Sequence, residues 1–361
     1  MSNKRDLCLV HIGMPKTGSS TLQEAFFNGF EDERVSYANL PHPNQSGWLN
    51  GLFCENPEQY HFFIKKGIDT PEKVSRFRHE TKEMLIEGFL SHKSSVEVMS
   101  GEDLYHLDER SIKKLKKFLE PYFHEILVVA YVRPVYSFMA SAFQQLVKYH
   151  DQASFDHNLV YHKYRNFERY DRVFGVERVK LFKFEPSLFP GGDIVKDFCD
   201  RLGFSVNESK ADVVNESLSK EAISVLFTYN FHSGAKTDFR KEQHYVHNRL
   251  VELISTIGNQ KFQFSRKYIQ STLLAFESDY EWIKARMNDS LDEPLEANYD
   301  NGVSSEGELM RFSTKSIPAL VSLLGNYVIP FELKNDPQTV ARLVNILAGQ
   351  IYETLRTREA C

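Results

Sequence analysis

The chain predicts an α/β fold in which a parallel β-sheet is flanked by helices and followed by a helical C-terminal extension. In its first half, short apolar runs alternate with amphipathic helical segments, which is typical of a parallel sheet covered on both faces. The run Ile126–Arg133 is almost wholly apolar and suits a central strand buried on both sides. After Asp193 the strand signals cease and helical periodicity takes over.

Five strands and five helices are predicted before Asp193. The strands are Leu7–Gly13, Val35–Leu40, Val96–Ser100, Ile126–Arg133 and Val179–Phe184. The helices are Ser20–Asn28, Pro71–Leu90, Glu109–Phe123, Val135–His150 and Tyr164–Phe174. Pro71 followed by an acidic residue is a typical helix start, and Gly175 is a typical helix stop.

The second half is predicted to be helical, with a polar break before its last part. Helices are expected at Asp193–Leu202, Ser219–Phe231, Asp238–Ile257, Lys267–Met287, Thr314–Tyr327 and Asp336–Arg356. The stretch Asn298–Glu308 is rich in Gly, Ser and Glu and is predicted to be a linker. We therefore predict a main domain over 1–290 and a polar linker with a helical tail over 291–361. The tail is either an added subdomain or a surface for homo-oligomerisation.

The composition is that of an ordinary globular protein, with 361 residues of which 42% are hydrophobic and 26% charged. A formal net charge of −5 argues against the broad basic surface of a nucleic-acid binder. The four cysteines form no CxxC pair, so a zinc ribbon or a disulfide framework is not expected. The N-terminus lacks a signal-peptide pattern and no apolar run approaches the roughly 20 residues of a membrane span, so a cytoplasmic location is expected.

A phosphate-binding loop is predicted where the first strand meets the first helix, in the segment Gly13–Thr21. In a strand–loop–helix arrangement, successive backbone N–H groups can point into one concavity, and the helix dipole favours an anion there. The residues that would hold the anion are Thr17, Gly18, Ser19, Ser20 and Thr21.

The loop differs from that of nucleoside triphosphatases in the place of its lysine. The spacing Gly13-x4-Gly18 matches, but Ser19 and Ser20 stand where that motif has Lys followed by Ser or Thr. Lys16 can still place its charge beside a bridging phosphate oxygen, whereas a site for a γ-phosphate with magnesium is not expected. A glycine turn that merely joins strand to helix is the alternative. The coincidence of a lysine, a glycine and three hydroxyl residues favours the anion site.

The segment Pro15-Lys-Thr-Gly-Ser-Ser-Thr21 resembles the 5′-phosphosulfate loop of sulfotransferases that use 3′-phosphoadenosine-5′-phosphosulfate (PAPS) as donor. The resemblance implies a P-loop-type sheet in which Lys16 stabilises charge on the departing 5′-phosphate, while residues 18–21 hold phosphate and sulfuryl oxygens. Thr21 stands where the cytosolic small-molecule branch has a tryptophan, so the chain looks closer to the carbohydrate-sulfating branch and its bacterial relatives. Weaker likenesses extend the resemblance over roughly the first 290 residues, at Phe174–Glu185, Gly192–Phe198, Asn215–Ser219 and Asp279–Trp282.

A second anion site is indicated after the fourth predicted strand, which ends at Arg133, with Ser141 eight residues later. The same family has an arginine at a strand end and a serine eight residues on, and the resemblance implies that Arg133 and Ser141 bind the 3′-phosphate of PAPS. The planar guanidinium suits this role because it can grip two phosphate oxygens and does not lose its charge. Ser137 lies one helical turn before Ser141 and is an alternative.

Transfer to a hydroxyl group needs a base, and the loop after the third strand supplies candidates. Glu102 and Asp103 follow that strand at the sheet edge of the phosphate loop, and their segment resembles bacterial members of the family. Glu102 is predicted to be the general base, with helix capping as its alternative, and Asp103 is expected to cap a turn. His106 and His11 are reserve bases, although a lone histidine in a strand is more often a packed group.

Two further segments carry chemistry-bearing residues. The stretch His42–Trp48 is polar and aromatic and is a candidate acceptor-binding loop, with an ordinary surface loop as the alternative. His244 and His247 have the spacing of a metal pair on a helix but lack a third ligand, so no metal is expected.

The expected function is therefore transfer of a sulfuryl group from PAPS to a hydroxyl of an acceptor, a carbohydrate or glycolipid, by in-line displacement without a metal. A nucleotide-dependent kinase is the enzyme alternative, and magnesium dependence with ATP would favour it. A non-catalytic nucleotide-binding or assembly protein is the other alternative, and tight binding of 3′-phosphoadenosine-5′-phosphate (PAP) without turnover would favour that.

Overall fold

The structure, a computed structural model, describes residues 4–149, 152–205, 217–233, 241–288, 291, 293 and 301–359. Contacts divide the chain into two compact units. The first unit contains Met1–Pro134, Lys163–Val214 and Ser278–Asp292, and the second contains Val135–His162, Asn215–Glu277 and Glu293–Cys361. The predicted division into 1–290 and 291–361 stays a prediction.

One five-stranded parallel sheet lies in the first unit, in the order β2-β3-β1-β4-β5. The strands are β1 (Arg5–Ile12), β2 (Val35–Tyr37), β3 (Val96–Gly101), β4 (Phe123–Val132) and β5 (Val179–Lys183). All five predicted strands are confirmed, and with them the α/β class with a parallel sheet flanked by helices. Because every pair is parallel, the carboxyl ends of all the strands meet at one edge, where such folds bind ligands.

The chain also forms helices along its whole described length. They are α1 (Ser19–Phe27), α2 (Ser46–Phe53), α3 (His61–Lys66), α4 (Pro71–Ser91), α5 (Glu109–Leu119), α6 (Val135–Tyr149), α7 (His157–Val160), α8 (Asn166–Phe174), α9 (Ile194–Leu202), α10 (Lys220–Ser233), α11 (Lys241–Ser255), α12 (Arg266–Ala275), α13 (Glu277–Arg286), α14 (Glu306–Ser313), α15 (Ile317–Leu324) and α16 (Pro337–Glu359). The short helices α2 and α3 were not predicted, because neither is long enough to display a helical period.

The core of the first unit forms around the central strand. Leu9 of β1 and Val129 of β4 are completely buried, as expected of strands covered on both faces. Phe26 of α1 and Phe198 of α9 pack against each other on this core, with ring centroids 5.0 Å apart. This packing holds the C-terminal part of α1 against the core of the sheet.

In the second half, one helix prediction and one linker prediction are wrong in detail. The segment predicted as one helix over Lys267–Met287 is two helices, because Phe276 has φ −122° and ψ 25° and leaves the helical region. Within the predicted linker Asn298–Glu308, α14 begins at Glu306, where the Ser305 hydroxyl accepts the Glu308 N–H. A Ser-x-x-Glu pattern can begin a helix as well as belong to a polar linker. Here Ser305 caps α14, so the end of the predicted linker is helical.

The second unit is built around α10. Its residues 222–230 are all buried, and α14 and α16 pack against it. A cluster of phenylalanines supports this unit, with the Phe143 ring stacked on Phe262 at 5.3 Å. The C-terminal helices α14 and α16 thus complete the core of the second unit.

Candidate functional site at the carboxyl edge of the sheet

The loop between β1 and α1 is closely packed at both of its glycines. Gly18 has φ +73°, a conformation that favours glycine, and a Cβ there would lie 2.9 Å from the end of the Ile194 side chain. A Cβ on Gly13 would lie 2.5 Å from Ser19 Oγ and 3.0 Å from Glu102 Cα. The predicted anion loop and the predicted base segment are therefore in direct contact.

Lys16 lies in an unusual backbone conformation, with φ +66°. A side chain in this left-handed region costs about 1–2 kcal/mol, and such strain persists where surrounding contacts impose it. The Thr17 hydroxyl donates to the Met14 carbonyl oxygen at 2.6 Å, which closes the loop. Because this hydroxyl is used inside the loop, only the backbone N–H of Thr17 is suited to a ligand.

The first turn of α1 is suited to an anion. The first bond of the helix runs from the Leu22 N–H to the Gly18 carbonyl oxygen at 3.2 Å, and the N-cap Gly18 brings no side-chain cap. The N–H groups that precede Leu22 in the turn have no acceptor within the helix. The hydroxyl residues of this turn differ in exposure, since Ser19 is buried, Thr21 is half-buried and Ser20 is exposed.

Glu102 follows β3 directly and begins a short 3-10 turn, Glu102–His106. Burial raises the pKa of Glu102 to about 7, with the negative charge of Asp103 adding to the effect and the positive charge of Lys16 opposing it. Burial also lowers the pKa of Lys16, helped by the charge of Arg133 and opposed by that of Glu102. No ion pair within 4 Å joins Lys16 to Glu102 in the described part of the chain. The Lys16 ammonium and the Glu102 carboxylate thus influence each other's pKa without forming an ion pair.

Arg133 leaves the end of β4 and reaches the anion loop. Its guanidinium donates to the Lys16 carbonyl oxygen at 2.7 Å and lies 5.3 Å from the centre of the Phe184 ring. Its own carbonyl oxygen accepts the Tyr164 hydroxyl at 2.8 Å. Phe184 was missed as a site residue, although an aromatic residue at the end of a predicted strand beside an arginine strand end is a usable signal.

Ser141 and its alternative Ser137 lie on α6, in the second unit, and both side chains are half-buried. The backbone N–H groups of Tyr136 and Ser137 donate to the carboxylate of Glu293, at 2.8 and 3.2 Å. Glu293 thus caps the start of α6. The choice between Ser137 and Ser141 for a 3′-phosphate stays a prediction.

The expectation that Asp103 caps a turn is wrong, because the 3-10 turn at Glu102–His106 has no side-chain cap. The Asp103 carboxylate instead accepts the Tyr60 hydroxyl at 2.5 Å and lies 3.8 Å from His61 Nε2. The backbone N–H of Asp103 donates to Ser46 Oγ at 3.0 Å. Tyr60 was not predicted, because it precedes Asp103 by 43 residues and lies outside any strand end.

The two reserve histidines differ in environment. His11 is fully buried, its Nδ1 is hydrogen-bonded to Ser100 Oγ at 2.7 Å, and burial lowers its pKa to about 4. A histidine held neutral and packed in this way is a structural link between β1 and β3. His106 is exposed, with its ring edge-on to Tyr105 at 5.3 Å.

The stretch His42–Trp48, predicted as a loop, becomes helical at Ser46, where α2 begins. The Gln45 side chain donates to the Ala38 carbonyl oxygen at 2.9 Å and accepts the Ser100 N–H at 3.1 Å. The stretch is therefore attached to the end of β3. Trp48 is half-buried and stacks with His42, with ring centroids 6.1 Å apart.

Across the described residues, no three His, Cys, Asp or Glu side chains are grouped to hold a metal ion. A ring nitrogen of His247 is hydrogen-bonded to the Lys148 carbonyl oxygen. No helix in the described ranges is long and apolar enough to cross a membrane.

No protein-family model and no curated protein matches the chain. Among solved structures, the chain is similar to a sulfotransferase from Alicyclobacillus acidocaldarius, with 14% identity and a TM-score of 0.36. The similarity covers 64% of this chain and 96% of that chain. Likeness at this level carries no information on substrate or mechanism.

Proposed function

We propose that this protein transfers a sulfuryl group from PAPS to a hydroxyl group of a carbohydrate or glycolipid acceptor. The observation that carries the proposal is the contact between the two loops. A Cβ on Gly13 would reach both Ser19 Oγ, at 2.5 Å, and Glu102 Cα, at 3.0 Å. A turn suited to an anion and a carboxyl group whose pKa is raised to about 7 therefore share one edge of the sheet.

The donor supplies a sulfuryl group bonded to the 5′-phosphate through a bridging oxygen. In the proposed reaction Glu102, in its ionised form, takes the proton of the acceptor hydroxyl while the acceptor oxygen bonds to sulfur. The bond from sulfur to the bridging oxygen breaks, and its electron pair stays on the phosphate. Lys16 and the N–H groups of residues 18–21 stabilise the negative charge that develops there.

Arg133 is proposed to bind the 3′-phosphate, the role that the sequence resemblance implies for it and for Ser141. Its contact with the Lys16 carbonyl oxygen, at 2.7 Å, supports a second role in holding the anion loop. An arginine that binds the 3′-phosphate and also holds the Lys16 carbonyl oxygen would couple recognition of the 3′-phosphate to the position of Lys16. A kinase is less well supported, because Ser19 occupies the place of the triphosphatase lysine.

Two measurements test the proposal. Titration calorimetry with PAP and with ATP plus magnesium should give binding of PAP and weak or no binding of ATP. Incubation with ³⁵S-labelled PAPS and a panel of glycans should transfer label to at least one acceptor. Magnesium-dependent phosphorylation with ATP would favour the kinase, and tight PAP binding without transfer to any glycan would favour a non-catalytic nucleotide-binding protein.

A further inference from the structure

An aromatic surface lies on α2 and α3, whose first residues contact or adjoin residues that contact Asp103, the neighbour of the proposed base Glu102. Trp48 of α2 and Phe62 of α3 are both half-buried, with ring centroids 5.1 Å apart. The exposed ammonium of Lys66 lies 5.4 Å from the Trp48 ring centre and 5.0 Å from that of Phe62. His42 stacks on Trp48 at 6.1 Å. We call these four residues the aromatic platform.

The platform requires a glycine at its base. A Cβ on Gly47 would lie 2.4 Å from Cε2 of Phe62, so any larger residue would displace this ring from α2. The ring nitrogen Nδ1 of His42 accepts the Asn44 N–H at 3.1 Å, so the neutral ring carries its proton on Nε2. The platform thus combines ring surfaces with two donors, the Lys66 ammonium and the His42 Nε2–H.

Both helices that carry the platform are attached to the residue next to Glu102. At the start of α2, Ser46 Oγ accepts the Asp103 N–H at 3.0 Å. Immediately before α3, the Tyr60 hydroxyl donates to the Asp103 carboxylate at 2.5 Å. A ligand on the platform would therefore be held by elements anchored to the proposed base.

Among the described residues, no carboxylate neutralises the charge of Lys66. Over the described residues, no Asp or Glu oxygen lies within 4 Å of its ammonium, and its ring contacts are those with Trp48 and Phe62. An exposed cation–π contact contributes only about 0.5–1 kcal/mol. A carboxylate on a ligand can therefore draw the ammonium from the rings at small cost and gain a charge-assisted hydrogen bond.

We propose that the aromatic platform binds an acidic saccharide, with a sugar ring packed on Trp48 and Phe62 and its carboxylate paired with Lys66. The inference rests on the proposed function and narrows the acceptor to a glycan that contains a uronic acid. Aromatic rings offer the apolar faces of a sugar a matching surface, while a few placed polar groups fix its orientation. The His42 Nε2–H is available to a ring hydroxyl.

Intrinsic fluorescence tests this binding without any donor present. The chain has two tryptophans, so Trp282→Phe leaves Trp48 as the only reporter. In this background, titration with an unsulfated chondroitin tetrasaccharide should change the emission with saturation, and cellotetraose should bind at least about 3-fold more weakly. Equal affinity for the acidic and the neutral tetrasaccharide would overturn the proposal.

A neighbouring lysine provides the matched control. Lys66→Gln should weaken binding of the acidic tetrasaccharide by about 3–10-fold and leave that of cellotetraose unchanged. Lys65→Gln removes the same charge one residue away on α3. It should change the affinity for neither the acidic tetrasaccharide nor cellotetraose. Equal losses from the two lysine variants would show general attraction of anions and overturn the proposal.

Calorimetry with Trp48→Ala completes the test and separates the two hypotheses. This variant should weaken binding of both tetrasaccharides, while PAP binding stays at the wild-type value. If the protein binds PAP and sulfates an acceptor, but Trp48→Ala changes the affinity for neither tetrasaccharide, the platform proposal alone fails. If PAP does not bind while the platform variants still weaken saccharide binding, the proposed function fails and the saccharide site stands.

Discussion

The backbone of Lys16 places a strained residue at the point where the proposed chemistry needs a charge. We predict that Lys16→Ala leaves the fold intact and lowers kcat by more than about 10-fold, because the charge matters most as the phosphate leaves. Circular dichroism and steady-state kinetics measure the two effects. Wild-type kcat in the folded variant would contradict the assignment.

A glycine at the same position separates charge from strain. Lys16→Gly removes the same charge but accepts φ +66° without a Cβ clash. We expect Lys16→Gly to be as inactive as Lys16→Ala. Its free energy of unfolding should be about 0.5–1 kcal/mol higher than that of Lys16→Ala. Denaturant titrations of the two variants measure this difference, and a lower value for the glycine variant would refute the strain.

The pKa of Glu102, raised to about 7 from the ordinary 4.5, makes activity and stability depend on pH in opposite directions. The base works when ionised, so kcat should rise as pH increases through about 7. The folded state holds this proton more tightly than the unfolded state, so between pH 4.5 and 7 stability falls as pH rises. Glu102→Gln should lower kcat by about 100-fold, leave PAP affinity nearly unchanged and remove this loss of stability.

Asp103 is the matched control for Glu102. Its negative charge helps to raise the pKa of Glu102, so Asp103→Asn should lower that pKa and move the rise in kcat to lower pH. The Tyr60 contact should survive, since an amide oxygen also accepts a hydrogen bond. A larger loss of kcat from Asp103→Asn or His106→Ala than from Glu102→Gln would assign the base elsewhere.

At the scale of elements, Arg133 joins the loop after β1 to the end of β4. If it binds the 3′-phosphate, Arg133→Ala should weaken PAP binding by about 2 kcal/mol or more, and adenosine-5′-phosphosulfate binding by much less. Because the guanidinium also contacts the Lys16 carbonyl oxygen, some loss is expected for both ligands. Calorimetry compares the two losses, and equal losses would leave Arg133 with the loop-holding role alone.

Local sequence patterns predicted well those strands and helices whose formation depends on residues within the element itself. The apolar runs of β1 and β4 and the glycine spacing around Lys16 are short-range signals, and each produced the predicted strand or loop. The platform helices α2 and α3 were missed, since α2 is held by packing on β3 and α3 by packing on α2, and neither is long enough to show a helical period. The role of Asp103 was also predicted wrongly, because its contacts are with Tyr60 and Ser46, which are distant in sequence.

At the scale of the molecule, α10 connects the C-terminal tail to the rest of the second unit. Its residues 222–230 are all buried, and α14 and α16 cover it. Truncation after residue 290 should therefore expose apolar surface, and we expect the shortened chain to aggregate or to lose helical content beyond the deleted residues. Circular dichroism and light scattering measure both. A shortened chain that stays monomeric and keeps its remaining helices would favour a separate tail subdomain.

By itself, the sequence determined the parallel α/β class, the strand–loop–helix around Lys16 and the identity of Glu102 as a candidate base. These features depend on residues close together in the chain, whose spacing and polarity act locally. Only the tertiary structure decided that Glu102 packs against Gly13 and that Tyr60 holds Asp103. Both contacts join residues separated by tens of positions. The first forms because the parallel sheet brings the carboxyl ends of β1 and β3 to one edge, and the second because Tyr60, immediately before α3, reaches the residue after Glu102.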